Sequence, residues 1–327
     1  MATPQASAAV PANLLDAQAL STALAAHGLI FPDNDVKGIY GRGAALEHII
    51  DRFDALVMRS DEAASAERMA FPPVVARRLI EQLGYLENFP QLIGSVHGFQ
   101  GSEATARGMA AKAARGERWE EALAITDVML LPAACYPVYP TFSGLLPEGG
   151  RTVTVLGWCF RHEPSEEPTR LQSFRMREFI RAGAPQVVES WRDAWLDRGL
   201  ALLRGLGLPA TSDTANDPFF GRSGRMMAES QKTQRLKFEI MVPVMADRGP
   251  SAICSFNWHQ HHFAEKFGIR SDAAELAQTA CLGFGLERVA LALLATHGLR
   301  LADWPPAVRE RLGIDPAVQG HAEPARP

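Results

Sequence analysis

No stretch of the 327-residue chain stays apolar for the length that a membrane-spanning helix needs, which excludes a helical integral membrane protein. Its first residues, MATPQASAAVPANLL, hold no basic segment followed by a continuous apolar one. No secretory signal is therefore expected, and the cytoplasm is the expected compartment. Cysteine is scarce: Cys135, Cys159, Cys254 and Cys281 lie far apart, with no Cys-x-x-Cys pair. That excludes a disulfide framework and leaves two roles for the thiols, as small buried apolar groups or as metal ligands. Neither sign of charge dominates, since 33 Lys and Arg stand against 37 Asp and Glu for a net charge of −4. Such a chain carries no broad positive field to gather nucleic acid. Nothing repeats at a fixed period.

What is present is apolar bulk. Hydrophobic residues make up 47% of the chain and charged ones 21%, enough for one large core with or without an appendage. Residues 13 to 27 read as a short amphipathic helix ended by Gly28, after a Pro/Ala/Ser-rich leader. Residues 44 to 66 read as a longer helix, with Leu46, Ile49, Ile50, Phe53, Leu56 and Val57 in one stripe. The GIYGRG before it is read as a turn, FPPVV as a break, and Glu103 to Ala124 as a further helix. From residue 125 the texture changes to β-like runs: ITDVMLLPAACYPVYPTFSG, RTVTVLGWCFRHE, RLQSFRMREFIRAG, RLKFEIMVPV and SAICSFNWHQ. One helical stretch, QVVESWRDAWLDRGLALLRGLG, interrupts them, and an apolar helix beginning at GFGLER closes the series. Runs of strands between helices predict an α+β fold built on an antiparallel sheet with helices packed against it. The expected organisation is a leader and short helix over 1–36, one catalytic domain over 37–313, and a disordered tail over 314–327.

Charge gathers at two places. WCFRHEPSEEPTRLQSFRMREF sets Arg161, Glu163, Arg170, Arg175, Arg177 and Glu178 on a hairpin, where alternation gives Arg161 the same face as Glu163 and Arg175 the same face as Arg177. One such face could hold an anion; a solvated hairpin laced with weak ion pairs has the same pattern. In CLGFGLERVALALL, Glu287 and Arg288 open an apolar helix behind Gly283 and Gly285. Glycines allow close approach, and the first turn of a helix with an Arg fork suits phosphate. A buried helix with one extended Arg explains the same residues.

Taken in order, FRHE, SFRMREF and GFGLER resemble motifs 2 and 3 of class II aminoacyl-tRNA synthetases. The resemblance implies a class II synthetase-like antiparallel β-sheet flanked by helices. It also implies that Arg161 holds the α-phosphate of ATP, Glu163 reads the adenine amino group and Arg288 clamps the γ-phosphate. Glu287 then serves as a structural partner. The textures YPVYPTFSG and SFNWHQHHFAEKFGI, with the charged hairpin, are similar to a family of shortened homologues of methanogen-type seryl-tRNA synthetases, the amino acid:[carrier protein] ligases. That likeness runs from about Gly38 to Gly313. It implies that Arg170, Leu171, Lys237 and Ala252, Ile253, Cys254 and Ser255 line the nucleotide pocket, with Arg161, Arg288 and Lys237 as the catalytic cations.

The same resemblance places Cys135, Glu178 and Cys281 at the active site as ligands of one Zn²⁺ whose open position takes the substrate's amino group. It implies ATP with Mg²⁺, activation of glycine or alanine to an adenylate, and transfer to the phosphopantetheine thiol of an acidic carrier protein by a homodimer. FFGRSGRMMAESQKTQRLK concentrates positive charge beside Phe and Met, so Arg222 and Arg225 are assigned to carrier docking, with a solvated loop as the alternative. The chain departs from conventional seryl enzymes in two ways. It has no long helical arm for tRNA, so no tRNA is expected. It also reads GPSAICS where those enzymes place an acidic residue, which leaves Glu239 as the candidate Mg²⁺ ligand. A truncated tRNA-charging enzyme and a non-catalytic paralogue are the competing functions. The NWHQHHF histidines are read as alternating about a strand and hence as no second metal site.

Overall fold

A computed structural model of the chain describes residues 13–33, 35–315 and 317–318. The expected leader up to residue 12 and most of the expected tail lie outside the described residues. Helix α1 (Ala17–Ala26) starts where Asp16 accepts a hydrogen bond from the Ala19 N–H at 2.7 Å, a side-chain cap four residues later than the pattern suggested. Helix α2 (Ala44–Val57) buries Leu46, Ile49, Ile50, Phe53 and Val57, as the stripe predicts. It ends earlier than expected. Ser60 caps a separate short helix over Asp61–Ser65, so residues 44 to 66 are two helices. The backbone at Gly43 passes so close to the Gly28 carbonyl that an added Cβ would lie 1.8 Å from its oxygen. Of GIYGRG, Tyr40–Arg42 is a short strand paired with Ile30–Pro32 and not only a turn.

The centre is a seven-stranded sheet. In chain order its strands are β1 (Glu67–Met69), β2 (Arg151–Phe160), β3 (Ser173–Gly183), β4 (Thr211–Thr214), β5 (Lys237–Val242), β6 (Ser251–Gln260) and β7 (Gln278–Gly285). They lie in the order β4-β5-β6-β7-β3-β2-β1, antiparallel throughout except for the parallel β1–β2 edge. A smaller three-stranded sheet forms from Val74–Ala76, Ser95–Phe99 and Leu123–Leu130. The helix expected over Glu103 to Ala124 stops at Ala114, because Gly116 takes a left-handed turn with φ +69° and the chain then enters that small sheet.

Helix α3 (Pro185–Arg204), helix α4 (Gly221–Thr233) and helix α5 (Leu286–His297) complete the elements that matter for the site. Alternation along the strands divides the sheet into two faces. One face sends Phe179, Ile240, Phe256, Leu282 and Phe284 into the main core with α2, α3 and α5. There α5 is buried from Leu286 to Leu294 except for Arg288, the pattern of a central helix. The opposite face carries the polar residues of the site, beside a second core of Val153, Val155, Tyr139, Phe142 and Ile180. Ile314 is itself buried in the main core and Val318 packs against it. Among the described residues, no helix is long and apolar enough to cross a membrane.

Candidate active site

Strand register builds the site. Across β3, β7, β6 and β5 one row of paired positions reads Glu178, Gly283, Ser255, Glu239, and the next reads Ile180, Cys281, Asn257, Lys237. Neighbouring strands are about 4.8 Å apart, so these side chains stand close together on one face. Gly283 keeps the middle of the first row open. A Cβ there would fall 2.6 Å from Met176 Cε and 3.2 Å from Glu178 Cγ. A cavity of about 450 Å³ covers this face and is lined by Glu178, Cys281, Lys237, Asn257 and residues of the loops around them.

At one end Cys135, Glu178 and Cys281 are all buried, and their ligand atoms lie within 4.8 Å of one another. Cys135 arrives from the turn after the small sheet, and its neighbour Ala134 donates its N–H to Glu178 Oε1 at 2.8 Å. Cys281 Sγ is 3.5 Å from Asn257 Nδ2, which donates to it, and 3.5 Å from His259 Nε2. Burial pushes the Glu178 carboxyl up to about 8, with the charge of Cys281 adding to the effect. The Cys135 thiol is pushed up by burial, while the hydrogen bond from Cys135 helps hold Cys281 as a thiolate. Two sulfurs and a carboxylate with one side open to a cavity are a donor set that fits a thiophilic divalent ion, and ligation would displace the protons these groups hold.

A pH consequence follows for metal-free protein. An acid raised in the fold favours its protonated form, so Glu178 stabilises the fold fully below its unfolded value. That contribution is lost as pH rises through about 8. The Cys281 thiolate contributes with the opposite sign, so the Glu178 effect is read as a difference: in urea unfolding of chelator-treated protein, the stability of the wild type relative to Glu178→Gln is expected to fall from pH 5 to pH 8.

The same cavity is lined by three cations, Arg161, Lys237 and Arg288. Arg161, just past β2, donates from Nε to the Pro132 carbonyl at 3.1 Å and lies 5.5 Å from the Phe174 ring centre. Glu163 lines the cavity two residues on and pairs with Arg170 at 3.3 Å. Arg288, in the first turn of α5, is fixed by the carbonyls of Thr169 (2.8 Å) and Ala252 (3.0 Å). Burial, with Arg161 nearby, lowers its pKa. Lys237 Nζ lies 2.7 Å from Asp217 and 3.1 Å from Glu239. Leu171 and Ala252 to Ser255 also line the cavity, whereas Arg170 does not and stays at its edge as an exposed residue. Cys159 is a buried apolar group on the sheet, and Cys254, although it borders the cavity, is buried in the main core.

Arg175 and Arg177 do share a face, but it is the helix-facing one. Arg175 is held by Glu47 and Glu287, and Arg177 by both oxygens of Asp54, so neither is available to an anion. Glu287 thereby gains a definite role: fully buried, it accepts from the Arg175 N–H at 2.8 Å and from its Nε at 3.0 Å, tying β3 to α5. Arg222 and Arg225 lie exposed on α4, away from the cavity lining. Asn257, His259 and Asp217 are among the cavity residues that the sequence reading did not assign to the site. Asn257 and His259 follow Ser255 at period two on β6 and could have been counted onto the same face; Asp217 sits in a loop and gives no such signal. The histidine run does not alternate as a regular strand, because β6 has an irregularity between Trp258 and Gln260, where Gln260 has φ +51°, and the chain turns into a helix at His262.

No protein-family model matches the chain. It is 44% identical over 287 residues to an amino acid–[acyl-carrier-protein] ligase 1 of Bradyrhizobium diazoefficiens, covering 87% of this chain and 88% of that protein. A ligase 2 of the same organism is also 44% identical, over 293 residues that make up 89% of this chain and 87% of the relative. A type-2 serine–tRNA ligase of Methanococcus aeolicus is 30% identical over 58% of this chain but only 38% of its own. Among solved structures, the seryl-tRNA synthetase of M. kandleri, solved with A. aeolicus tRNASec, superposes with a TM-score of 0.78 at 19% identity, over 93% of this chain and 62% of that one. The seryl-tRNA synthetase of Pyrococcus horikoshii complexed with ATP gives 0.66 at 13% identity, over 92% and 63%. These structural likenesses establish a class II synthetase fold.

Proposed function

The chain belongs to the amino acid–[acyl-carrier-protein] ligases, and from that membership we propose that it activates a small amino acid, glycine before alanine, with ATP and passes it to a carrier protein. The observation that carries this reading is that Cys135, Glu178 and Cys281 open into the same cavity as Arg161, Lys237 and Arg288. The three ligands suit an amine held through a metal and the three cations suit phosphates, which is the pair of reactants that adenylate formation needs. Zn²⁺ bound to the three ligands would supply an open position for the substrate's free amino group.

The amino acid's carboxylate oxygen attacks the α-phosphorus, the bond to the bridging oxygen breaks, and pyrophosphate leaves. Arg161 is assigned to the α-phosphoryl oxygens and Arg288 to the γ-phosphate, and Lys237 contributes a further buried positive charge to the same cavity. Glu163 is assigned to the adenine amino group, and Glu239, which lines the same cavity, to the Mg²⁺ travelling with ATP. The carrier's phosphopantetheine thiol then attacks the adenylate carbonyl, forming the thioester and expelling AMP. Met176, His259 and Phe263 line the cavity and support a small substrate. The reading treats 37–313 as the catalytic unit of a cytoplasmic homodimer.

Carrier docking falls to α4. Phe220 is 56% exposed and Met226 73% exposed beside Arg222 and Arg225, an apolar and basic surface that suits an acidic partner. Reversing both arginines to glutamate is expected to slow thioester transfer about tenfold or more at low salt, within the usual range of electrostatic steering. Pyrophosphate exchange should be spared; equal loss in both assays would remove α4 from docking. The reading as a whole is tested by ATP–pyrophosphate exchange across a panel of amino acids, followed by acylation of phosphopantetheinylated carrier or of tRNA. Exchange that depends on glycine or alanine with a labelled carrier supports it, and charging of tRNA alone overturns it.

A further inference from the structure

Helix α4 is largely exposed; Gly224 is buried, while Met227, Ser230 and Gln231 line the cavity. The segment leading into it is secured to residues 88–91: Phe219 stacks on Phe89 at 5.1 Å, the Phe220 N–H donates to the Asn88 carbonyl at 2.8 Å, and Gln91 Nε2 donates to the Pro218 carbonyl at 2.7 Å. Near the far end of the helix a different attachment takes over. Gln231 Oε1 accepts from the Asp217 N–H at 2.7 Å, and its Nε2 donates to Asp217 Oδ2 at 2.8 Å. The other carboxylate oxygen of Asp217 takes the Lys237 ammonium at 2.7 Å. Burial alone would raise the Asp217 carboxyl, yet Lys237 and the Gln231 amide hold it below its ordinary range.

We propose that Asp217 and Gln231 are positioning residues that latch α4 to the nucleotide site: Gln231 orients the Asp217 carboxylate, which orients Lys237 toward the phosphates. The inference rests on the ATP site proposed above and extends it to regulation. The acidic carrier protein, seated on the exposed basic and apolar side of α4, holds the latch closed and so tightens ATP, and by linkage ATP tightens the carrier equally.

The test is calorimetric titration of the full-length protein with ATP, alone and with a carrier lacking its phosphopantetheine arm, so that no acyl transfer occurs. Gln231→Met is expected to weaken ATP binding about three- to tenfold, the scale of a lost hydrogen bond. Gln231→Glu, which keeps the acceptor but sets a like charge beside Asp217, should weaken it further and serves if the first variant folds poorly. In the wild type the armless carrier should lower the Kd for ATP, and in either variant this linkage should vanish while the carrier still binds. A merely structural glutamine would lower thermal stability without removing the linkage. Unchanged ATP affinity in both variants, or linkage that persists in them, overturns the latch. Failure of the wild type to bind ATP at all would overturn the nucleotide site itself, and the latch with it.

Discussion

Cys281→Ser is expected to abolish the proposed metal binding and to lower amino-acid-dependent pyrophosphate exchange by more than about 100-fold. Loss of a group that merely orients a ligand typically costs about 10- to 100-fold in metal affinity or activity, and Cys281 is one of the three proposed donors, so the larger loss is expected. Serine has nearly the same volume, but its hydroxyl does not ionise in the range where a thiolate does, and it is a poor ligand for a thiophilic ion. The surroundings of Cys281 show that the sulfur is prepared as an anion: Asn257 donates to it, His259 stands 3.5 Å away, and Cys135 helps hold its pKa well below the ordinary thiol value. Cys159→Ser is the control, because Cys159 is buried at 1% exposure on the same sheet and is not part of the three-ligand group. Zinc content of the purified proteins, read beside their melting temperatures, separates the outcomes. A full complement of metal in Cys281→Ser would remove the site, and so would metal loss of the same size in Cys159→Ser.

Much of this was written in local pattern, and what was missed has identifiable causes. The strands that carry Glu178, Lys237 and Ser255 are apolar on alternate positions and bounded by turns, so they could be read from period alone, whereas Gln278–Gly285, which carries Cys281, was not read as a strand because it runs without a turn into the apolar helix at Leu286. Which strand lies beside which could not be read from period. The order β5-β6-β7-β3-β2 sets residues 178, 283, 255 and 239 in one row, and no spacing in the chain encodes that row. The resemblance supplied only that Cys135, Glu178 and Cys281 meet at the active site. Arg175 and Arg177 show the opposite limit: alternation grouped them correctly but left an anion-holding face and ion pairing both open, and tertiary packing against α2 decided for ion pairs with Glu47 and Asp54. The helix ends were misplaced where short signals compete with propensity, as at the Ser60 cap and the left-handed Gly116. Asp217 was illegible for a plainer reason. An acid in a polar loop usually faces water, and only the fold places this one against Lys237.

Arg161→Ala is expected to reduce the rate constant of pyrophosphate exchange by about 10²- to 10³-fold, the usual effect of removing one preorganised donor from developing negative charge. The side chain is held in place before any nucleotide arrives: its Nε is engaged by Pro132 O and its guanidinium lies over Phe174, so orientation costs little at the moment of reaction. Charge builds on the α-phosphoryl oxygens as the carboxylate attacks, so an interaction there counts more in the transition state than in the bound substrate and its loss falls on kcat. Arg288 predicts a different pattern. A clamp on the γ-phosphate binds ground state and transition state about alike, so Arg288→Ala should raise KM for ATP more than it lowers kcat. Its fixed carbonyl partners, Thr169 and Ala252, would then be left without their donor, and some loss of thermal stability should accompany the change. Arg161→Lys keeps the charge but not the planar fork and should recover part of the rate. Steady-state exchange kinetics with varied ATP resolve these cases. An Arg161→Ala enzyme with normal kcat and a raised KM would move Arg161 away from the reacting phosphorus, and the roles of the two arginines would have to be exchanged.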